Sequence, residues 1–386
     1  MASLALIGHA LGWVLLGLSA LGTAYMVAAG LLLRRHFRDA SAGAAPRAEA
    51  VTLLKPLHGA EPRLYENLAS FLDQHHAGPI QLLCGVQRPD DPAIAIVKRL
   101  RRERAGVRID LVVDATPHGA NRKVANLINL APHIAHPIIV LSDSDIVAPR
   151  DYLARLLATL DLPGVGAVTC LYHGRGDAGF WSRLGAAGLS WQFLPGALFA
   201  VANGLARPCM GSTIALRQEM LAAIGGFRPF ADMLADDYAI GEAIHALGQR
   251  VAVPDMLVTH ASDEPSLAAL WRHELRWGAT LKEIVPAAYI AGVIGIPLPT
   301  ALAGWVLVPA GLWFVLGALA VRVAVAGVAD REAGARTAPL WLLPLRDCFT
   351  FAIFIGSLFA RSVDWRGAKL KMSRNGRVTA GQELFP

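Results

Sequence analysis

The stretches Ala2 to Leu33 and Ile284 to Val321 of this chain contain no Asp, Glu, Lys or Arg. A helix that crosses a bilayer needs roughly 20 predominantly apolar residues, so the first stretch can form one span and the second has room for two. The 386-residue sequence is 54% hydrophobic and only 17% charged, against about 25% charged in an ordinary soluble domain. A cleaved signal peptide would show a basic start and a shorter apolar core. Here the apolar run is long and no Lys or Arg precedes it, which favours a retained anchor over residues 1–34. Arg34, Arg35 and Arg38 follow directly, and Lys and Arg collect on cytoplasmic flanks. The rest of the chain is therefore expected on the cytoplasmic side.

Residues 35–50 are small, polar and proline-containing, as in a linker. From 51 to 283 short apolar runs (Val51–Leu54, Gln81–Val86, Ile109–Val113, Ile138–Leu141, Val165–Cys170) alternate with helical periodicity. Examples are Leu64, Leu68, Phe71 and Leu72, then Ile94, Val97 and Leu100, then Leu153, Leu156, Leu157 and Leu160. This alternation predicts an α/β domain with a mostly parallel sheet, whose ligands bind at the carboxyl ends of the strands. Residues 284–360 return to the membrane. Thr300 to Val321 reads as an uninterrupted span, while Ile284 to Pro299, broken by Pro286, Pro297 and Pro299, suits a span, a re-entrant segment or an interfacial helix. Residues 338–360 are apolar except for Arg346 and Asp347, whose pairing as neighbours would lower the cost of burial in a span or at the interface. The tail, 361–386, is basic (Arg361, Arg366, Lys369, Lys371, Arg374, Arg377) and expected to be cytoplasmic.

The net charge of +6 suits a surface lying on anionic lipid. Nucleic acid is disfavoured, because the arginines around 88, 99–104 and 122 have no interleaved aromatics or reader motif. Cys84, Cys170, Cys209 and Cys348 lack CxxC spacing and read as reduced thiols.

The strongest local motif is Asp143-Ser144-Asp145, just past the apolar run Ile138–Leu141. Two carboxylates there can converge on Mg²⁺ or Mn²⁺, which prefer oxygen ligands and also bind diphosphates; a helix-capping turn is the alternative. Asp90 and Asp91 follow the second run and could accept hydrogen bonds from a nucleoside, or simply form a Pro-Asp turn. Asp236 and Asp237 open a helix, where acids complement the dipole. Either could also serve as a general base toward an attacking hydroxyl. His273, Arg276 and Trp277 share one helical face: a guanidinium there can grip a diphosphate, or the group can be a juxtamembrane anchor. The Trp at 277 where a zinc protease would need its second His excludes that reading. Asn121, Lys123 and Asn126 suit ribose, diphosphate or the anchoring of a strand end, or equally a solvated helix start.

The order of these motifs resembles the ceramide glucosyltransferase family: Asp-Asp-Pro-Ala, Asn-x-Lys-x-x-Asn-Leu, Asp-Ser, acidic-Asp-Tyr, then Arg-Trp before a membrane segment. Leu53 to Leu57, with Lys55, extends the match. The departures are His273, where that family has Gln or Arg, and Asp145, which completes a DxD. Both features, with Lys55–Pro62, His118–Lys123 and Thr169–Tyr172, resemble the bacterial hopanoid biosynthesis-associated glycosyltransferases of the HpnI type. The resemblance implies a GT-A domain, a nucleotide-sugar-binding Rossmann-like α/β fold, over 51–283, flanked by N- and C-terminal transmembrane or interfacial helices. It implies an inverting transfer from a UDP-sugar, UDP-GlcNAc by the hopanoid match, to a lipid such as bacteriohopanetetrol. The setting would be a multi-pass protein of the inner membrane. Asp237 would be the base, with Arg276, Trp277 and His273 in the catalytic set. Asp143 and Asp145 would hold a divalent cation. Asp91, Asp90, Lys55, Asn121, Lys123, Asn126 and Asp236 would line the substrate site. The other readings are a ceramide or sphingolipid glucosyltransferase using UDP-glucose, a processive synthase, and a non-catalytic membrane scaffold.

Overall fold

The computed structural model describes residues 2–38, 45–360, 362–365, 368–372 and 377–380. Helix α1 (Ala2–Arg38) is followed by β1 (Val51–Pro56), α2 (Leu64–Ser70), β2 (Ile80–Val86), α3 (Ala93–Glu103), β3 (Arg108–Val113) and α4 (Arg122–Leu130). Next come β4 (Ile138–Leu141), β5 (Ile146–Val147), α5 (Tyr152–Leu160), β6 (Val165–Val168) and β7 (Leu171–Gly176). A helical run of α6 (Phe180–Gly188) and α7 (Leu194–Ala202) precedes β8 (Ile214–Arg217), α8 (Gln218–Ala223), α9 (Asp236–Ala246), β9 (Arg250–Ala252) and β10 (Leu257–Ser262). The chain continues through α10 (Leu267–Ile284), α11 (Pro286–Ala291), α12 (Pro297–Leu307), α13 (Leu312–Glu332) and α14 (Leu343–Phe359), and ends in three short strands. Residues 39–44 of the expected linker, and Arg361, Arg366 and Arg374 of the basic tail, lie outside the described residues.

These elements form two units. One comprises Asp39–Tyr172, Arg207–Asp263 and Gly367–Pro386; the other comprises Met1–Arg38, His173–Ala206 and Glu264–Arg366. Within the 51–283 stretch, residues 173–206 and 264–283 group with the helices. The first unit holds a seven-stranded sheet in the order β3-β2-β1-β4-β8-β6-β9. Strands β1, β2, β3 and β4 are parallel, and β9 is parallel to β6. Strand β8 runs antiparallel to both β4 and β6. All six residues of β1 are buried, Thr52 and Lys55 included, so its sequence shows no apolar–polar alternation. Successive side chains still point to opposite faces. Leu53 joins Leu64, Leu68, Val97, Leu100, Leu153 and Leu157 on one side, and Leu54 joins Val124, Leu127, Ile240 and Ile244 on the other.

In the helical unit, four helical segments are long and apolar enough to cross a membrane: Ser3–Arg38, Phe180–Ala202, Pro309–Glu332 and Leu340–Phe359. A bent pair, Pro286–Gly295 with Pro297–Leu307 at 63°, could make a fifth. These counts are for the described residues. The expected span over Thr300 to Val321 does not form. Helix α12 ends at Leu307, Val308 is extended (φ −137, ψ 113), and α13 begins at Leu312. Pro309 accounts for this break, since proline lacks an N–H and drives the preceding residue out of helical geometry. The internal run Phe180–Ala202 is not among the expected membrane segments, although Leu184 to Ala206 carries no Asp, Glu, Lys or Arg; its mean hydropathy is the lowest of the four.

Arg346 and Asp347 are both buried but do not pair with each other. Consecutive residues on a helix project about 100° apart, so each finds a different partner. Arg346 Nη1 and Nη2 meet Glu274 Oε1 and Oε2 at 2.6 and 2.5 Å. Asp347 accepts from Arg322 Nε and Nη2 at 2.9 and 2.7 Å, and Arg322 Nη1 donates to the Trp191 carbonyl at 2.6 Å. Both members of the Arg322–Asp347 pair are fully buried. Asp347→Ala leaves the Arg322 charge uncompensated, and removing one partner of such a pair costs about 3–5 kcal/mol. A clear drop in the thermal midpoint of the detergent-solubilised protein is expected, and an unchanged midpoint would contradict the pairing.

Candidate active site

The site is built where β4 ends. After Leu141 the chain turns through Ser142 and Asp143, and Asp143 N donates to the Gly211 carbonyl at 3.1 Å. Gly211 N in turn donates to Asp237 Oδ2 at 2.9 Å. One peptide segment therefore ties the acid that follows β4 to the acid that opens α9. A Cβ at Gly211 would lie 2.6 Å from Asp143 Oδ2 and 3.0 Å from Lys123 Nζ, so a side chain there would have to displace the Asp143 carboxylate.

Lys123 lies among these carboxylates. Its Nζ is 2.6 Å from Asp143 Oδ1 and 3.6 Å from Asp236 Oδ2. Burial alone would lower its pKa, but the fields of Asp143, Asp236 and Asp237 outweigh this and raise it, so the ammonium stays charged. Asp236 is buried and accepts from Asn121 Nδ2 at 3.2 Å. Asp237 is less enclosed, and its carboxyl is pushed up to about 6, first by burial and then by the neighbouring Asp236 charge, with Lys123 opposing. Asn121 caps α4, its Oδ1 accepting from the amides of Lys123 and Val124, and its Nδ2 also donates to the Met233 carbonyl. Asn126 holds β2 by donating to the Gly85 carbonyl at 2.8 Å. Asn121 and Asn126 are thus buried and not solvated, and Asn126 anchors the end of β2.

Lys55, expected to line the substrate site, is fully buried in the central strand β1. Its Nζ donates to Ser142 Oγ and to the Asp143 carbonyl, each at 2.9 Å, over the Phe71 ring. Burial lowers its pKa to about 7 against the opposing fields of Asp143 and Asp145. It supports the Asp143 turn from beneath. Asp91 is buried, accepting from Gly59 N through both oxygens and from Ala93 N. It therefore joins the loop after β1 to the start of α3. Asp90 is exposed and paired with Arg88.

Asp145 keeps different company from Asp143. Strands β5 and β10 pair antiparallel with His260 opposite Ile146, which sets His260 Nε2 3.4 Å from Asp145 Oδ2. The Tyr172 ring lies 5.4 Å from the imidazole. Its phenol is pushed up by burial and by the fields of Asp237, Asp145 and Asp143, so it lies within reach of all three charges. Among the described residues no group of three His, Cys, Asp or Glu side chains is arranged to hold a metal ion by itself. A carboxylate and an imidazole nevertheless suit a divalent cation whose other ligands arrive with a diphosphate. His260, Tyr172 and Gly211 escaped the sequence reading.

The remaining expected residues lie on α10, in the helical unit. His273 Nδ1 hydrogen-bonds Glu264 Oε1, and the His273 and Trp277 rings meet edge to face at 4.5 Å. Ser266 caps the helix, its Oγ accepting from Ala269 N. Arg276 lies one residue before Trp277 on the same helix.

Overpacking a tight site costs about 1–3 kcal/mol, so Gly211→Ala should destabilise the fold by that order in a thermal or chemical denaturation series. Wild-type stability would mean that Asp143 and Lys123 move aside freely.

The chain is similar to ceramide glucosyltransferase 1 of Caenorhabditis elegans, 23% identical over 354 residues that cover 86% of this chain and 74% of that protein. It is also similar to ceramide glucosyltransferase 3 of the same organism, 25% identical over 230 residues covering 59% of this chain and 49% of the relative, about half its length. Among solved structures it is similar to the mannosyltransferase PcManGT from Pyrobaculum calidifontis in complex with GDP-Man and Mn2+. That likeness has a TM-score of 0.51 and 22% identity, covering 89% of this chain and 99% of the other. The sheet unit has the GT-A-type fold expected, with helices apolar enough to span a membrane toward both ends of the chain. Residues 14–378 match the model of glycosyl transferase family 21, and the chain belongs to that family.

Proposed function

We propose that this glycosyltransferase moves a sugar from a UDP-sugar onto a hydroxyl of a membrane lipid, with inversion at the anomeric carbon. The observation that carries the reading is the Gly211 segment, which binds Asp143 through its carbonyl and Asp237 through its amide. On this reading a cation-holding acid, Asp143, and a proton-accepting acid, Asp237, would be held in fixed relation. Asp237 would take the proton from the acceptor hydroxyl as that oxygen attacks the sugar. Asp236 is occupied by Asn121 and Lys123, so Asp237 is the better placed of the two. Asp143 with Lys123, and Asp145 with His260, would frame the diphosphate and a divalent cation. Bound there, the cation would neutralise charge developing on the leaving diphosphate. Asp91 would orient the nucleoside, and Arg276 and Trp277 would act on diphosphate and acceptor. The catalytic unit would face the cytoplasm at the inner membrane, as the arginines after α1 suggest.

The hopanoid resemblance favours N-acetylglucosamine from UDP-GlcNAc and bacteriohopanetetrol as the pair. The ceramide glucosyltransferase relatives favour UDP-glucose and ceramide, and this second reading has equal support from the comparisons. Purified protein given labelled UDP-GlcNAc or UDP-glucose with each lipid separates them. Turnover of neither pair would sink both.

Asp237→Asn should abolish transfer while sparing UDP binding, since loss of one such group costs orders of magnitude in rate; full activity would refute the base. Because a base must be ionised and this carboxyl is pushed up to about 6, kcat/KM, which reports the free enzyme, should fall as pH drops through about 6 and level off above it. An acid limb near the ordinary value of 3.8 would contradict the assignment. In calorimetric titrations of UDP, Mn²⁺ should tighten binding to the wild type but not to Asp143→Ala, Asp145→Ala or His260→Ala. A metal effect that survives in all three would remove the cation from this site.

A further inference from the structure

Glu274 sits inside the His273–Trp277 motif, yet its carboxylate is bound by a residue far along the chain. We propose that Arg346 is a positioning residue for Arg276 and Trp277, acting through Glu274. The inference rests on the reading above that Arg276 and Trp277 act on the donor and acceptor.

The grip is a parallel fork: Arg346 Nη1 to Glu274 Oε1 at 2.6 Å and Nη2 to Oε2 at 2.5 Å. The side chains are only 3% and 15% exposed, so water screens the pair weakly. The same guanidinium donates to the Leu184 carbonyl at 3.2 Å and to Thr350 Oγ1 at 2.7 and 3.0 Å. It thereby joins α6, α10 and α14 at one point. Gly188 confirms how close the packing is, since a Cβ there would lie 2.7 Å from Arg346 Cζ.

A two-pronged bond fixes orientation as well as distance. Arg276 lies two residues beyond Glu274 and projects from nearly the opposite side of the helix, at about 100° per residue. Any rotation or slide of α10 that moves Arg276 must break the fork. A second hold, His273 on Glu264, restrains the same turn. The buried pair Arg322–Asp347 involves none of α10's residues; Arg346 links α14 to the motif by charge, and Lys282 ties the far end of α10 to the Ser357 and Ala360 carbonyls.

Lysine at 346 would keep the charge and lose the fork, which separates positioning from neutralisation. The test uses the full chain in lipid nanodiscs, assayed with UDP-GlcNAc and bacteriohopanetetrol and with UDP-glucose and ceramide. Arg346→Lys, Glu274→Gln, Arg276→Ala and the two doubles with Arg276→Ala are compared for kcat, KM for the UDP-sugar and thermal midpoint. A catalytic group misplaced by about 1 Å can cost about 100-fold, so Arg346→Lys and Glu274→Gln should each lower kcat by about 10- to 100-fold, with smaller changes in KM. In the Arg276→Ala background they should add little, because residues acting as a unit are non-additive. Additive losses, or wild-type kcat in both single variants while Arg276→Ala is impaired, would overturn this inference alone. Loss of kcat that only tracks loss of folded protein would do the same. Full activity in Arg276→Ala would instead overturn the functional reading of that residue, and this inference with it.

Discussion

The sheet unit depends on one ammonium group, that of Lys123, held among carboxylates. Asp143 and Asp236 reach its Nζ directly, and Asp237 contributes through its field. Like charges at such separations in a weakly polar interior repel by several kcal/mol unless a cation intervenes, so the cluster can exist in this folded form because Lys123 is there. The arrangement has a chemical use as well. Residual negative charge and burial keep Asp237 more basic than a solvated carboxylate, whereas the lysine keeps the cluster from taking up protons wholesale. A group of acids poised in this way suits an incoming cation and phosphate, which can share or replace the balance that Lys123 provides.

The helical unit solves a different problem. Arg322 and Arg346 lie within helices apolar enough for a membrane, where an unpaired guanidinium is costly. Each is bound by a carboxylate through two bonds, and each also donates to a backbone carbonyl, of Trp191 and of Leu184. Those carbonyls belong to the helical run from Phe180 onward, so the same two arginines that neutralise the acids also tether that run. Trp191 adds a reciprocal contact, its indole N–H donating to Asp330 on α13.

Much of this organisation was legible in the sequence. Ile138–Leu141 appears as the strand predicted, residue for residue, because a short run buried on both faces carries an unmistakable apolar block. The acids after it were visible for the same reason. The partners of those acids were not. Lys123 reads as a substrate-site residue or as part of a solvated helix start, since spacing does not reveal that α4 brings its first turn against α9. His260 was invisible because only the antiparallel register of β5 and β10 brings it to Asp145. Gly211 acts through its peptide N–H and C=O, which every non-proline residue possesses. Pro309 was in plain view, but an uninterrupted lack of charge outweighed it in the reading of Thr300 to Val321. Arg346 and Asp347 were recognised as a problem of burial, and sequence adjacency suggested the wrong pairing.

Strand β8 was not anticipated either, as its four residues, Ile214–Arg217, offer too little pattern. Its direction has a consequence for how the site can change. Because β8 is antiparallel to β4, the segment entering β8 arrives at the edge where the segment leaving β4 departs. Each is pinned to the other by a peptide hydrogen bond. An insertion or deletion in either segment would shift Asp143 relative to Asp237, whereas the loops at the far edge are free of that coupling. Length variation should therefore be tolerated unevenly: scarce at the β4–β8 edge, and open to drift on the opposite side of the sheet.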